Sequence, residues 1–140
     1  MTELDSRLYV DTNVLIYIID GNDYLRQKAK QTLNSLRPKF SFVTSELTVG
    51  ECLRGALRRG NNDSAENYRR LLSNRAFITL APVTLSLIER AAELGASLDM
   101  KLIDSLHVAT AEACGCRLFI TNDRGIRAPA GLALQSLSEA

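Results

Sequence analysis

The sequence lacks the features that mark membrane-spanning, secreted and disulfide-stabilised proteins. No apolar run approaches the ~20 residues that a membrane-spanning helix needs, and residues 1–7 contain three charged side chains and no apolar stretch. We therefore expect a protein of the cytoplasm without a secretory signal. Three cysteines are too few for a disulfide framework, so free and mostly buried thiols are expected. A zinc site at Cys114 and Cys116 would need His107, the only histidine, and is disfavoured.

The net charge of +1 says little about partners, but the arginines are unevenly distributed. The stretch from Cys52 to Arg75 contains six arginines against two acidic residues. A phosphate backbone can lie along such a stretch, and Arg54 and Arg58 are the candidate RNA-binding residues. The alternative is a solvated helical surface, which is the more common role of an arginine-rich helix face.

Short β-rich segments alternate with longer helical patterns along the chain. Strands are predicted at 8–10, 40–44, 77–80, 117–121 and, weakly, 132–137. Helices are predicted at 24–36, 46–59 ending at Gly60, 63–72 opening with a capping box, 102–114, and after a cap at Thr84. This alternation predicts an α/β fold with a parallel sheet. No repeat, low-complexity segment or linker divides the chain, so residues 1–140 are expected to form one domain.

Two acidic residues directly follow predicted strands. Asp11 comes after the apolar run 8–10, and Asp123 follows the strand that ends near Thr121. Ligands of an open parallel sheet bind outside the carboxyl ends of its strands, so both carboxylates are expected at one edge. Taken alone, each aspartate is better explained as an N-cap of the next helix. The two matched positions favour a shared site.

Two further acids, Glu51 and Asp104, lie in helical patterns among apolar neighbours, which is unusual for positions that face water. An ion pair with Arg54, one helical turn away, is an alternative role for Glu51. Asp104 has only Lys101 as a basic neighbour at helical spacing. We expect a buried charge with a partner from elsewhere, and a metal ion is the best partner available.

Four converging carboxylates would repel one another, and some would take up protons unless cations balanced them. Mg²⁺ and Mn²⁺ favour oxygen ligands. One or two such ions can activate water for in-line attack on phosphorus. The sequence therefore predicts a metal-dependent phosphodiester hydrolase whose catalytic residues and metal ligands are Asp11, Glu51, Asp104 and Asp123.

Four ordered segments resemble the PIN-domain nucleases, and within that family the VapC-like toxins of toxin–antitoxin pairs. The segments are 9–16, 45–51, 102–111 and 118–123, so the resemblance covers nearly the whole chain. It implies a five-stranded parallel sheet in the order 3-2-1-4-5 flanked by helices, a site for Mg²⁺ or Mn²⁺, and cleavage of RNA. It also implies a homodimer and a small, separately encoded antitoxin protein.

The resemblance also implies roles for individual residues. The acidic positions of the family are all present: Asp11, Glu51, Asp104 and Asp123. Polar positions that accompany the acids are also present: Thr12, Asn13 and Asn122. Ser105 replaces the small apolar residue that usually follows the third acid, and its hydroxyl is expected to support the site. His107 is expected to pack in the core or behind the acids rather than to be catalytic.

Other phosphate-handling proteins fit less well. A phosphotransferring aspartate hydrolase needs an Asp-x-Asp signature, which Asn13 breaks. A response-regulator receiver needs an aspartate at the end of the third strand, where this chain has Leu80-Ala81-Pro82. No glycine-rich nucleotide loop follows a strand. The alternative that remains is a non-catalytic PIN-like module that binds RNA or acts as a scaffold.

Overall fold

The computed structural model describes residues 6–137, which form five strands and six helices. The strands are β1 (Arg7–Val10), β2 (Ser41–Ser45), β3 (Ile78–Ala81), β4 (Leu118–Ile120) and β5 (Ala133–Gln135). The helices are α1 (Thr12–Asp20), α2 (Asp23–Leu36), α3 (Glu46–Arg58), α4 (Asn62–Ser73), α5 (Leu85–Leu98) and α6 (Leu102–Ala113). The expectations about a secretory signal and about a domain reaching residue 140 fall partly outside the described residues.

The strands form one parallel sheet in the order β3-β2-β1-β4-β5, which confirms the predicted fold. β1 is central, with Tyr9 opposite Val43 of β2 on one side and Phe119 of β4 on the other. The strand order changes direction at β1, so the carboxyl ends of β1 and β4 lie side by side at the switch point of the sheet. Asp11 and Asp123, which follow these strands, are thereby brought to the same edge.

Helices cover both faces of the sheet because the side chains of β1 alternate between two apolar clusters. Leu8 and Val10 pack into one cluster, and Tyr9 packs into the other with Val108 and Phe119. The rings of Tyr9 and Phe119 stack with their centroids 4.9 Å apart. Burial on both faces explains why the central strand is an unbroken apolar run.

Two helical features differ from the sequence prediction. The pattern does not predict α1, because the apolar run from Val14 to Ile19 has no polar residues at helical spacing. The predicted capping box at Asp63 is wrong. The N-cap of α4 is instead Asn61, whose side-chain oxygen accepts a hydrogen bond from the backbone nitrogen of Ser64 at 3.0 Å.

The three cysteines are free thiols, as predicted; Cys52 and Cys116 are buried, and Cys114 is partly buried. Burial raises the pKa of both Cys52 and Cys116 to about 12. Thiols with such a pKa stay protonated and unreactive near neutral pH. Within residues 6–137, no helix has the length and apolar character needed to cross a bilayer.

Candidate active site

Asp11 lies at the carboxyl end of β1 and caps the amino terminus of α1. Its Oδ1 accepts a hydrogen bond from the backbone nitrogen of Thr12 at 2.9 Å. Its Oδ2 accepts bonds from Thr121 Oγ1 at 2.7 Å and from Asn13 Nδ2 at 3.2 Å. The residue is only 5% exposed, and burial raises the pKa of its carboxyl despite these bonds. Asp11 is therefore an N-cap, as the alternative explanation predicted, but capping does not account for the two side chains that donate to its Oδ2.

Glu51, on α3, is held by side chains from two other elements. Its Oε1 accepts bonds from Thr12 Oγ1 at 2.7 Å and from His107 Nε2 at 2.8 Å. Burial opposes ionisation of Glu51, but these bonds outweigh it and lower the pKa of the carboxyl. Within residues 6–137, Glu51 contacts His107, and no ion pair joins Glu51 to Arg54. The alternative role as a partner of Arg54 is therefore not observed.

Asp104 lies in the first turn of α6 and is partly buried. Burial raises the pKa of its carboxyl, and the negative charges of Asp123 and Asp11 raise it further. Its neighbours Leu102 and Ile103 are 56% and 46% exposed while Leu106 is buried, so the predicted buried charge is only partly buried. The first turn of α6 lies at the protein surface, and Asp104 lies at the edge of the group of four acids.

Asp123 lies in the exposed loop after β4, and the backbone around it fixes its position. Its N–H donates to Thr121 Oγ1 at 2.9 Å, and its Oδ1 accepts a bond from the backbone nitrogen of Gly125 at 2.8 Å. A Cβ on Gly125 would lie 3.2 Å from Oδ1 of Asp123 and 3.9 Å from Oδ2 of Asp104. The two carboxylates therefore border the same small space, which the glycine keeps open.

Electrostatic coupling joins the four acids at this edge of the sheet. The charge of Glu51 raises the pKa of Asp11, and the charges of Asp11 and Asp123 raise the pKa of Asp104, because like charges oppose ionisation. Within residues 6–137, however, no three His, Cys, Asp or Glu side chains are already arranged to hold a metal ion. The roles of the four acids as metal ligands and catalytic residues stay predictions.

Comparison with known proteins identifies the family. The family model for the PIN domain matches residues 8–132. The chain belongs to the PIN domain family. No curated protein matches the sequence.

Several solved structures share the fold of this PIN domain. A toxin–antitoxin complex from Klebsiella pneumoniae has a TM-score of 0.67 and 24% identity, over 91% of this chain and 95% of that chain. VapBC2 from Rickettsia felis, bound to a DNA fragment from its promoter, has a TM-score of 0.70 and 16% identity, over 92% and 97%. VapC20 from Mycobacterium tuberculosis, described as a toxin that cleaves the sarcin–ricin loop, has a TM-score of 0.68 and 22% identity, over 80% and 86%.

Behind the acids of this PIN domain, buried hydrogen bonds link Glu51 to the core. His107 Nδ1 lies 2.5 Å from the hydroxyl of Tyr9, and that hydroxyl accepts a bond from the backbone nitrogen of Ser45 at 3.1 Å. A neutral imidazole with its hydrogen on Nε2 satisfies this chain, accepting from Tyr9 and donating to Glu51. Burial lowers the pKa of His107, but the bond to Glu51 and the nearby acids raise it more. His107 thus lies in the core behind Glu51.

The supporting polar residues predicted for this PIN domain fall into two groups. Three of them contact the acids or one another: Thr12, Asn13 and Asn122. Ser105 does not, because its Oγ donates to the carbonyl oxygen of Lys101 at 2.9 Å, and a Cβ on Gly95 would lie 2.7 Å from it. The prediction that this hydroxyl supports the site is therefore wrong. Successive residues of an α-helix are turned by ~100°, which directs Ser105 towards α5 and not towards the acids.

Sequence reasoning missed two residues of the site, Thr121 and Gly125. The hydroxyl of Thr121 donates to Asp11 and accepts the N–H of Asp123, so one side chain joins the two strand-end acids. The rule that singled out Asp11 and Asp123 also covers Thr121, which directly follows β4. Gly125 carried no such signal, because only the folded loop brings it beside Asp104.

Arg54 and Arg58 are exposed on α3, one and two turns beyond Glu51 on the same side of the helix. Neither forms an ion pair with another of the residues 6–137, whereas their neighbour Arg59 pairs with Asp20 at 3.0 Å. Both side chains are therefore available to a phosphate backbone. Their contact with RNA stays a prediction.

Proposed function

We propose that this protein is a divalent-metal-dependent endoribonuclease that hydrolyses RNA phosphodiester bonds. The convergence of Asp11, Glu51, Asp104 and Asp123 at the carboxyl edge of the sheet carries the proposal. Burial raises the pKa of Asp11 and Asp104, and the charges of neighbouring acids raise both further, a cost that a bound cation would reduce. Membership of the PIN domain family supports the same chemistry.

The chemistry of the site fits Mg²⁺ or Mn²⁺. Every candidate ligand is a carboxylate oxygen, the type of ligand that these ions prefer. Glu51 Oε2, Asp123 Oδ2 and both carboxylate oxygens of Asp104 accept no hydrogen bond from residues 6–137, so they are available to one or two ions. When bound, such an ion supplies activation of water for in-line attack on phosphorus.

The protein's own contribution is to orient the carboxylates. Three acids are fixed by neighbouring donors: Asp11 at both oxygens, by Thr12 and Thr121, Glu51 at one oxygen by Thr12, and Asp123 at one oxygen by the backbone of Gly125. Such contacts hold ligands in place before an ion arrives, and their loss typically weakens metal affinity or activity ~10–100-fold. Arg54 and Arg58 would position the RNA backbone through its phosphates, without reading its sequence.

We further propose that the enzyme is the toxin of a toxin–antitoxin pair, acting on RNA in the cytoplasm as a homodimer restrained by a small antitoxin protein. The structures from Klebsiella pneumoniae and Rickettsia felis, which share its fold, are toxin–antitoxin assemblies. The Mycobacterium tuberculosis protein with this fold is described as a toxin that cleaves the sarcin–ricin loop. These likenesses support the proposal at the level of the fold.

A non-catalytic PIN-like module that binds RNA or acts as a scaffold is the second candidate. The lack of a ready-made group of three metal-binding side chains within residues 6–137 favours it. Incubation of the purified protein with total RNA in Mg²⁺, Mn²⁺ or EDTA separates the two candidates. The nuclease is expected to cleave the RNA at positions that can be mapped, with either ion and not in EDTA. A binding module leaves the RNA intact under all three conditions.

A further inference from the structure

A pocket of about 540 Å³ lies beside the acidic site, outside the carboxyl ends of β4 and β5. Its walls are the turn from Thr121 to Arg124, Ile126, and the segment from Leu134 to Ser136. Asp123 belongs to this wall and to the group of four acids, so the pocket and the candidate metal site are contiguous. Pockets for small ligands typically enclose ~300–1,000 Å³.

The walls combine three kinds of chemical group that together suit a nucleotide. Leu134, which is 40% exposed, offers apolar surface to the flat face of a base, whereas Ile126 is only 5% exposed and adds little to that surface. Gln135 offers an amide with donors and an acceptor, which matches the hydrogen-bonding edge of a base. Arg124, which is exposed, offers a cation to a phosphate.

Gln135 is the amide in the pocket that is available to a ligand. Its side chain makes no hydrogen bond within residues 6–137, while its backbone oxygen accepts the N–H of Thr121 at 3.1 Å in the pairing of β5 with β4. The other amide in the wall, Asn122, already donates from Nδ2 to the hydroxyl of Tyr17 at 3.3 Å. A base that enters the pocket therefore meets the amide of Gln135 with all of its donors and its acceptor available, and the amide of Asn122 with one donor already used.

We infer that this pocket is a nucleobase subsite, which binds the unpaired base next to the scissile phosphate of RNA and sets a base preference at that position. The inference rests on the proposed RNA substrate, whose scissile phosphate would lie at the acids. Bases of single-stranded RNA are recognised by hydrogen bonds to their edges once they are splayed out of the stack. Gln135 reads the base edge, and Arg124 holds the adjoining phosphate.

Binding of four fluorescein-labelled tetraribonucleotides, one for each base, tests the subsite by fluorescence anisotropy. Ca²⁺ replaces Mg²⁺ to neutralise the acids, under conditions where electrophoresis shows the RNA intact. The parent is expected to bind its best tetranucleotide at least ~5-fold more tightly than its worst, and Gln135→Ala to remove most of that difference. Gln31→Ala, which alters an exposed glutamine of α2 outside the pocket, is the matched control and keeps the parent's preference.

Arg124→Ala provides a second test on an exposed loop residue, where misfolding is not expected, and should weaken binding of all four tetranucleotides by similar factors. Thermal melting establishes that Gln135→Ala, in the edge strand β5, is folded. Equal affinities in the parent, an unchanged preference in Gln135→Ala, or no effect of Arg124→Ala would overturn the subsite.

The result for the pocket is separable from the result for the proposed function. A base preference that depends on Gln135, in a protein that leaves total RNA intact, supports the subsite and rejects the nuclease. Cleavage of total RNA by a protein that binds the four tetranucleotides equally rejects the subsite alone.

Discussion

His107 and Glu51 form the link between the buried core and the acidic edge, with Nε2 of the imidazole 2.8 Å from Oε1 of the carboxylate. The hydroxyl of Tyr9 forms a hydrogen bond with the other ring nitrogen of His107. It also accepts a hydrogen bond from the buried backbone N–H of Ser45. The position of Glu51 therefore depends on β1 and α6 as well as on its own helix.

Tyr9→Phe should destabilise the fold by about 1–3 kcal/mol, because it leaves the N–H of Ser45 and Nδ1 of His107 buried without a partner. The free energy of unfolding in urea measures the loss. Tyr24→Phe is the matched control, since Tyr24 is 71% exposed and its change should stay within about 0.5 kcal/mol. Equal effects of the two substitutions would show that the buried hydrogen-bond chain does not stabilise the fold.

Asp104→Asn should raise the melting temperature of the protein in EDTA. Burial and the charges of Asp123 and Asp11 raise the pKa of Asp104 in the folded state, so its contribution to stability is present at low pH and lost as the pH rises through that pKa. Near neutral pH the ionised carboxylate costs stability, and the amide removes that cost. Mg²⁺ should then stabilise the parent more than the variant, because a ligand stabilises only the state that binds it.

Asp63→Asn, at an exposed position in the first turn of α4, is the control for this comparison. It should retain the full response of the melting temperature to Mg²⁺. Two results would contradict the claim that negative charges repel one another at this edge. One is an Asp104→Asn variant that melts below the parent in EDTA, and the other is a variant whose melting temperature responds to Mg²⁺ as the parent's does.

Gly125→Ala should weaken Mn²⁺ binding and RNA cleavage about 10-fold or more while leaving the fold intact. The added methyl group would lie 3.2 Å from Asp123 Oδ1, in the space that this carboxylate shares with Asp104. Gly50→Ala is the control, because its Cβ would meet no atom within 4 Å. Normal Mn²⁺ affinity in Gly125→Ala would place the ion elsewhere.

The sequence predicted the strands and two of the acids for reasons that the structure makes clear. The central strand is apolar because both of its faces are covered, and Asp11 and Asp123 could be located because parallel strands end at one edge. The predictions that failed depend on which way a side chain points. Ser105, one residue after Asp104, points towards α5, and Leu102 and Ile103 on the other side of Asp104 are exposed.

The start of α4 and the contacts set by loop folding could not be predicted from the sequence pattern either. Residues 61–66 contain more than one suitable capping side chain, and the folded chain uses Asn61 where a capping box at Asp63 was predicted. The role of Gly125 depends on how the loop after β4 folds, and the periodicity of the local sequence does not predict that conformation. The continuous apolar run in α1 gave no helical period to detect.

Asp20→Asn should destabilise the protein by about 1–3 kcal/mol near neutral pH and have little effect at low pH. Burial opposes ionisation of Asp20, but hydrogen bonds from Ser64 at 2.5 Å and Tyr68 at 2.7 Å, with the charge of Arg59, lower its pKa below the ordinary value of 3.8. A lowered pKa contributes stability above the unfolded value, and that stability is lost as the pH falls through the folded one.

Urea unfolding of the parent and Asp20→Asn from pH 7 to acid pH measures this contribution. The difference between the two should be constant above the ordinary pKa and shrink below it. Parallel stability curves down to the lowest pH at which the parent is folded would show that the ionised form of Asp20 does not join α1 to α4.

Mn²⁺ titration followed by electron paramagnetic resonance and by RNA cleavage in the same samples tests the central claim most directly. Bound Mn²⁺ and the rate of cleavage should rise together and reach half of their maxima at the same free concentration. In Asp104→Asn both curves should shift to higher Mn²⁺ or vanish, while Asp63→Asn follows the parent. Full cleavage in EDTA, or saturation with Mn²⁺ that brings no cleavage, would contradict a metal-dependent ribonuclease built on the four acids.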